Sequence, residues 1–509
     1  VTVPPCEASQ NKERQAEMNV IAKPSAMLSF DVASIPTDLF IGGQWRAGRG
    51  GDKLDVFDPS TGQVIAQIAN ASLDDAMDAV AAAHAAGKGW ATTAPRKRSE
   101  ILRRCFDLMI ERRDMLAELI SLENGKSLVD AQGEVGYAAE FFRWFSEEAV
   151  RLNGEISTAP GGANKILVEH QPIGVAVLVT PWNFPAAMAT RKIAPALAAG
   201  CTCVLKPATE TPLTAFALAE IYREAGVPDG VVNVITTSRS GPTVSAMLND
   251  PRVRKLSFTG STEVGRVLLR EAANTVVSCS MELGGNAPFI VFDDADLDAA
   301  IEGAMVAKMR NGGEACTAAN RFYVQRGIAK AFSDKLAERM GSMTVGIAYD
   351  KSVQCGPLIN VKAVNRISGL VEDAKARGAT VLAGGKSLDR SGYFYAPTVL
   401  ADVSPDSEIA AEEIFGPIAA ITTFDDEEAV IDLANGTEYG LISYVYTRDL
   451  ARGLRVSERM DSGMVGLNRG LVSDPAAPFG GTKQSGLGRE GAHHGILEFC
   501  ETKYIAVSW

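Results

Sequence analysis

Between positions 173 and 281 the sequence changes its period repeatedly, and this alternation limits the folds open to it. Short apolar runs at 174–180, 201–205, 231–235, 255–258 and 276–281 alternate with helix-length stretches at 184–199, 212–225, 241–249 and 261–272. Runs this short, bounded by Gly and Pro, read as strands, and a helix between each pair predicts a parallel, doubly wound sheet. Such sheets bind ligands outside the carboxyl ends of their strands. Asn183, Lys206 and Ser261 each follow a predicted strand end closely.

The flanking segments are less regular. Folded structure is expected from near Leu39, and Ser72-Leu73-Asp74-Asp75 has the form of a capping box. Helical periodicity then runs through 96–123, 128–136 and 137–153. A polar, Gly-rich excursion at 154–164 precedes an apolar run, which predicts a projecting hairpin of the kind that joins subunits. A second α/β region follows from 284 to about 480, with strands predicted at 288–291, 321–324, 380–383, 419–423 and 442–446. The final run, 498–509, reads as a strand with no neighbour in sequence. It is expected to pair with the hairpin at 154–172 or with another subunit. Residues 1–36 carry no apolar signal core and read as a disordered extension.

Composition excludes several classes of function. The 509 residues carry a formal net charge of -12, which argues against nucleic acid and anionic membrane surfaces as partners. An anionic substrate would need a local cluster of arginines. The eight cysteines are scattered without a CxxC pair, and there are only four histidines, so neither a disulfide framework nor a metal site is expected. This usage points to a reducing cytoplasm. The longest apolar stretch, 173–205, is interrupted by Pro181, Pro185, Arg191, Lys192 and Pro195, so no membrane span is expected.

Three stretches carry chemistry. In Asn311-Gly312-Gly313-Glu314-Ala315-Cys316-Thr317 the sulfur has little bulk around it, and glycine lets N–H groups turn towards a reacting oxygen. The alternative is a buried structural cysteine. Glu282 stands between apolar residues and the pair Gly284-Gly285, where burial would raise its pKa to suit a general base. The alternative is an ion-paired structural glutamate. Phe258-Thr259-Gly260-Ser261 is a strand, a Gly turn and a helix start that could offer N–H groups to a phosphate. It is not GxGxxG, and an ordinary turn with an N-cap Ser explains it equally well.

These stretches join Thr180-Pro181-Trp182-Asn183-Phe184-Pro185, Lys206-Pro207-Ala208, Glu413-Ile414-Phe415-Gly416-Pro417 and Pro478-Phe479-Gly480-Gly481 in one order. From about residue 37 to the end, that order resembles the aldehyde dehydrogenase superfamily. The resemblance implies a Rossmann-type cofactor domain at 37–153 and 173–284 and an α/β catalytic domain at 285–484. It also implies small oligomerisation segments at 154–172 and 485–509, in a homodimer or homotetramer. Cys316 would be the nucleophile, Glu282 the base that activates water, and Asn183 an oxyanion donor. Thr180, Pro181, Trp182, Lys206, Thr209, Glu210, Gly260, Ser261, Leu283, Glu413 and Phe415 would contact the dinucleotide. Many NAD-preferring members carry Glu where this chain has Thr209, so NADP is favoured over NAD, although Glu210 could restore NAD preference.

Arg191, Arg310 and Ser473 match positions that bind a distal carboxylate in the succinate-semialdehyde branch of the superfamily. The resemblance therefore implies oxidation of succinate semialdehyde, or of another carboxylated or small polar aldehyde such as glutarate semialdehyde. Arg469 departs from that branch and leaves the far end of the substrate open. Ala318, two residues after Cys316, leaves the nucleophile without an adjacent resolving thiol.

Overall fold

In the computed structural model, which describes residues 27–508, the alternating runs of the central third form one parallel sheet. Its core strands lie in the order Val232–Val234, Thr202–Lys206, Val175–Val179, Val253–Thr259 and Ser278–Glu282. The first crossovers step from Val175–Val179 one way along the sheet, and the chain then returns to its other side. The connections therefore diverge between Val175–Val179 and Val253–Thr259, where a crevice must open. Antiparallel strands close both edges. Leu39–Ile41 joins Val232–Val234 through Phe40 opposite Val234, and Gly486–Leu487 joins Ser278–Glu282.

A second sheet of seven strands carries the later half of the chain. Its middle strands are Ile418–Phe424, Ala319–Gln325, Ala287–Val291 and Ile442–Tyr446, all parallel. Two of its strands, Thr398–Ala401 and Met464–Leu467, have no counterpart in the sequence reading. Both are four residues long. The strand Ala287–Val291 starts a few residues after Glu282. The N-terminal ends of this sheet therefore face the C-terminal ends of the first.

The last strand, Cys500–Val507, pairs antiparallel with Lys165–Pro172, which pairs in turn with Glu155–Thr158. The stretch 485–509, expected to serve oligomerisation, runs through three settings. Gly486–Leu487 belongs to the first sheet, and the helix Ala492–Leu497 packs on the helices Leu128–Glu148 and Pro185–Ala199. Only the final strand stands on the hairpin.

Two further expectations change. The helices predicted at 128–136 and 137–153 are one helix, Leu128–Glu148, because Phe141, Phe142 and Phe145 share a buried face with Ala131, Val135 and Ala138. The disordered extension over 1–36 meets the described residues only at 27–36, and there it is ordered. Val32–Ser34 is a short helical turn, Ile35 is buried, and Ser29 Oγ donates to Glu118 at 2.8 Å.

Candidate functional site

The first crossover leaves the sheet at Thr180, turns at Pro181 and Trp182, and enters the helix Pro185–Ala199. The N–H groups of Ala186 and Ala187 at that helix start donate to Glu134 Oε1 at 2.8 and 3.2 Å. Glu134 also pairs with the buried Lys126, whose ammonium donates to Asn183 O at 2.7 Å and lies 3.9 Å above the Phe184 ring. The backbone at Asn183 is thus clamped from beneath. Its side-chain amide donates to Glu314 O at 3.1 Å, and its Oδ1 has no partner.

The loop bearing Cys316 is tightly wound. Asn311, Gly312 and Gly313 all take the left-handed conformation, with φ of 55°, 58° and 78°. A Cβ at Gly313 would fall 2.2 Å from Gly416 O, and one at Gly285 would fall 2.6 Å from Cys316 O. Both positions exclude every larger residue. Cys316 itself is half-buried and free. Burial pushes its thiol up to about 12; Arg191 and Arg310 pull the other way, while Glu413 and Glu282 push with burial. The resting sulfur is therefore a thiol that needs a proton acceptor.

A cavity of about 230 Å³ brings Cys316 together with Pro181, Trp182, Asn183, Gly260, Ser261, Leu283, Glu413 and Phe415. These residues come from both sheets. Ser261 caps the helix Thr262–Ala273 by accepting from Val264 N. The rings of Trp182 and Phe415 meet edge to face at 5.4 Å. Glu413 Oε1 accepts from Gly285 N at 3.2 Å, and burial pushes this carboxyl up to about 7. Thr259 also lines the cavity, and its buried hydroxyl has no partner. A helix N-terminus, an unpartnered hydroxyl, a carboxylate and two aromatic faces are a donor set that fits a dinucleotide. Lys206 lies further along the sheet edge, donating to Ser240 Oγ at 3.2 Å, with its ammonium lowered by burial to about 8. Thr209 and Glu210 hydrogen-bond to each other at 3.3 Å and border a separate cavity of about 420 Å³.

Glu282 ends its strand among charged side chains. Burial holds its carboxyl well above the usual range, helped by Glu490 and opposed by Arg191, Lys192 and Arg489. Its Oε2 has no hydrogen-bond partner. Arg191, which the resemblance assigns to a substrate carboxylate, is fully buried and ion-paired with Glu490. Glu490 takes Lys192 on its other oxygen. Arg191 also stacks on Phe479 at 4.4 Å, and its buried Nη2 has no hydrogen-bond partner.

Arg310 is placed differently. Its Nη1 donates to Ser473 Oγ at 3.4 Å, and the rings of Phe184 and Tyr137 lie 4.7 and 5.9 Å from its guanidinium carbon. Among the described residues it has no ion-paired carboxylate. Arg469 is exposed and turns back to donate to Leu471 O.

Sequence reasoning missed Lys126, Glu134, Lys192, Glu490 and the buried Lys308. The signal for Lys192 was present, since Arg191-Lys192 is a pair of charges inside an otherwise apolar helix. Among the described residues, no group of His, Cys, Asp and Glu is arranged to hold a metal, and no helix is long and apolar enough to cross a membrane.

Comparison with known proteins agrees with this geometry. The pattern of the aldehyde dehydrogenase family matches residues 45–505. A protein of Paenarthrobacter nicotinovorans named succinate-semialdehyde dehydrogenase is 56% identical over 87% of this chain and 99% of its own length. A protein of Pseudomonas aeruginosa named glutarate-semialdehyde dehydrogenase is 48% identical over 92% of this chain and 97% of its own. A solved structure described as an Escherichia coli NADP dependent enzyme superposes with a TM-score of 0.92 at 47% identity, covering 93% of this chain and 98% of that one. The chain belongs to the aldehyde dehydrogenase family.

Proposed function

We propose that this protein oxidises succinate semialdehyde to succinate with a nicotinamide dinucleotide, NADP ahead of NAD. The observation that carries the reading is Arg310. It is a half-buried guanidinium with no ion-paired carboxylate among the described residues, bonded to Ser473 and close enough to Cys316 to act on its thiol. A carboxylate one short chain away from the aldehyde would complete it. Arg191 Nη2 would supply a second donor.

In this reading Cys316 Sγ bonds to the aldehyde carbon while Glu282, in its ionised form, accepts the thiol proton. The carbonyl electrons move to oxygen, to which the Cys316 N–H and the Asn183 amide would donate hydrogen bonds. Such donors each lower a barrier by roughly 3–4 kcal/mol. Lys206, Thr209, Glu210, Ser261, Trp182, Glu413 and Phe415 would hold the dinucleotide, with Thr180, Pro181, Gly260 and Leu283 shaping its groove. When bound, it supplies the hydride acceptor. Glu282 passes the thiol proton on to solvent, loss of hydride from the former aldehyde carbon leaves a thioester, and the ionised Glu282 then takes a proton from water, whose oxygen attacks that thioester. The C–S bond breaks, succinate leaves, and the sulfur is reprotonated.

Thr209 supports NADP, because a hydroxyl can donate to a 2′-phosphate where a carboxylate would repel it. The domain division 37–153 with 173–284 against 285–484 is supported by the two separate sheets. A homodimer or homotetramer is supported by the outer sheet, where Ile156 and Tyr504 are 70% and 58% exposed. The free cysteines support a cytoplasmic setting.

The test is dinucleotide reduction measured with succinate semialdehyde, glutarate semialdehyde and butanal, each with NADP and NAD. The reading expects the highest kcat/KM for succinate semialdehyde. A higher value for the glutarate homologue would move the assignment to that acid. Equal values for butanal would remove the carboxylate clamp altogether.

A further inference from the structure

The helix Leu128–Glu148 starts beside the loop that carries Cys316, and one carboxylate joins the two. Asp130 lies in the first turn of that helix. Its N–H donates to the capping Ser127 Oγ at 3.3 Å, and Ser127 Oγ donates back to Asp130 Oδ2 at 3.1 Å. The same Oδ2 accepts from the backbone N–H of Asn311 at 3.1 Å.

Asn311 is where an anchor is needed. It holds φ 55° and ψ 37°, and two left-handed glycines follow it. That conformation is unfavourable for an L-residue, although Asn tolerates it better than most. Asn311 then passes the constraint on. Its amide donates to Asn183 O at 2.8 Å and to Glu314 O at 2.9 Å, the carbonyl that also receives the Asn183 amide. Asp130 therefore stands at the head of a chain of bonds that fixes Asn183 and the approach to Cys316.

The charge of Asp130 has a second target. Burial pushes its carboxyl up, while Lys126, the Asn311 N–H, Ser127 and Arg310 pull it down. Lys126 is ion-paired with Glu134, whereas Arg310, which lines the same cavity of about 460 Å³ as Asp130, has no ion pair among the described residues and lies open to the Asp130 charge.

We propose that Asp130 is a positioning residue with two separable actions: its oxygen holds Asn311 and so the Cys316 loop, and its charge weakens the hold of Arg310 on a substrate carboxylate. The second action rests on the substrate reading given above. The first does not.

The experiment uses the full chain with Asp130→Ala and Asp130→Asn. Asn keeps the acceptor and removes the charge. The first readout is the rate at which iodoacetamide alkylates Cys316, followed by peptide mass spectrometry. The second is kcat and KM for succinate semialdehyde and butanal. Asp130→Ala should change the alkylation rate about fivefold or more and lower kcat for both aldehydes about 10-fold, since small misplacements of reacting groups are costly. Asp130→Asn should recover at least half of that kcat loss. It should lower KM for succinate semialdehyde about two- to threefold, the size of a screened charge effect, without moving KM for butanal. Wild-type alkylation and kcat in Asp130→Ala would overturn the anchoring action. A KM change shared by both aldehydes in Asp130→Asn, or by neither, would overturn the charge action. If Asp130→Ala does not fold, Asp130→Ser, which withdraws the acceptor from Asn311 but leaves a hydroxyl at the helix start, carries the anchoring test with the same readouts, and Asp130→Asn carries the charge test. The alkylation readout uses no aldehyde, so it stands even where the substrate panel contradicts the substrate reading.

Discussion

Replacing Arg310 by Met removes one guanidinium while keeping an unbranched side chain of similar length. A hydrogen bond to a charged group contributes about 1.5–3 kcal/mol, which corresponds to roughly 10- to 150-fold in kcat/KM. The surroundings place Arg310 in the upper half of that range. Phe184 and Tyr137 flank its guanidinium, and Ser473 is its only hydrogen-bond partner among the described residues, so water cannot easily replace it against a carboxylate. Arg310→Met should therefore lower kcat/KM for succinate semialdehyde about 50- to 150-fold and leave butanal within about twofold. Ser473→Ala removes one neutral bond and should cost about two- to tenfold on the charged aldehyde. Ser473 acts through Arg310, so the double variant should lose less than the product of the two single losses. Initial-rate kinetics on both aldehydes decide the matter. A loss of equal size on butanal would show that Arg310 supports the loop and does not bind the substrate.

Glu282→Gln should let the acyl group form on Cys316 but slow its hydrolysis by about 10²–10³-fold; intact mass spectrometry should show the adduct, and full turnover would refute the assignment. Glu413, pushed up to about 7 by burial, is a carboxylate only above that pH. The Kd for NADP should therefore fall as pH rises from 6 to 8, and Glu413→Gln should flatten the dependence in a fluorescence titration; a Kd in the wild type that does not change with pH would contradict this. Lys308 is fully buried on one bond to Asn320, and burial lowers its ammonium from 10.5 to about 7. The unfolded chain then holds more protons between those values, so this group makes stability rise with pH over that window. At about 1.4 kcal/mol per unit the burden is at most about 4–5 kcal/mol at pH 7. Lys308→Met should thus raise the thermal midpoint most at pH 7, with the gain shrinking towards pH 9.5; a constant difference would refute the burial argument. Thr209→Glu should cut the NADP-to-NAD ratio of kcat/KM at least about 10-fold, and an unchanged ratio would leave Thr209 without a part in cofactor choice.

Much of the site was legible because its residues sit at places with strong local signals. Asn183, Lys206 and Ser261 follow strand ends, and strand ends are marked by the change from apolar runs to Pro and Gly. Cys316 is marked by the glycines that its left-handed loop requires. The continuous helix Leu128–Glu148 was harder to read, because Gly133 and Gly136 resemble a break and only the packing of its phenylalanines carries it through. The same holds for residues 27–36, whose few apolar side chains become meaningful only against a core that local pattern does not show.

The sequence alone determined the doubly wound sheet and the need for arginines if an acidic chain is to take an anionic substrate, which follow from local period and net charge; the proposed roles of Cys316, Glu282 and Asn183 came from the resemblance to the aldehyde dehydrogenase family. The tertiary structure alone decided what each charge is paired with. Lys192 and Glu490 are 298 positions apart, yet their pairing takes Arg191 into a buried ion cluster and leaves Arg310 as the open guanidinium. The energy of a buried charge depends on its partner and on exclusion of water, and both are set only when distant segments close on one another.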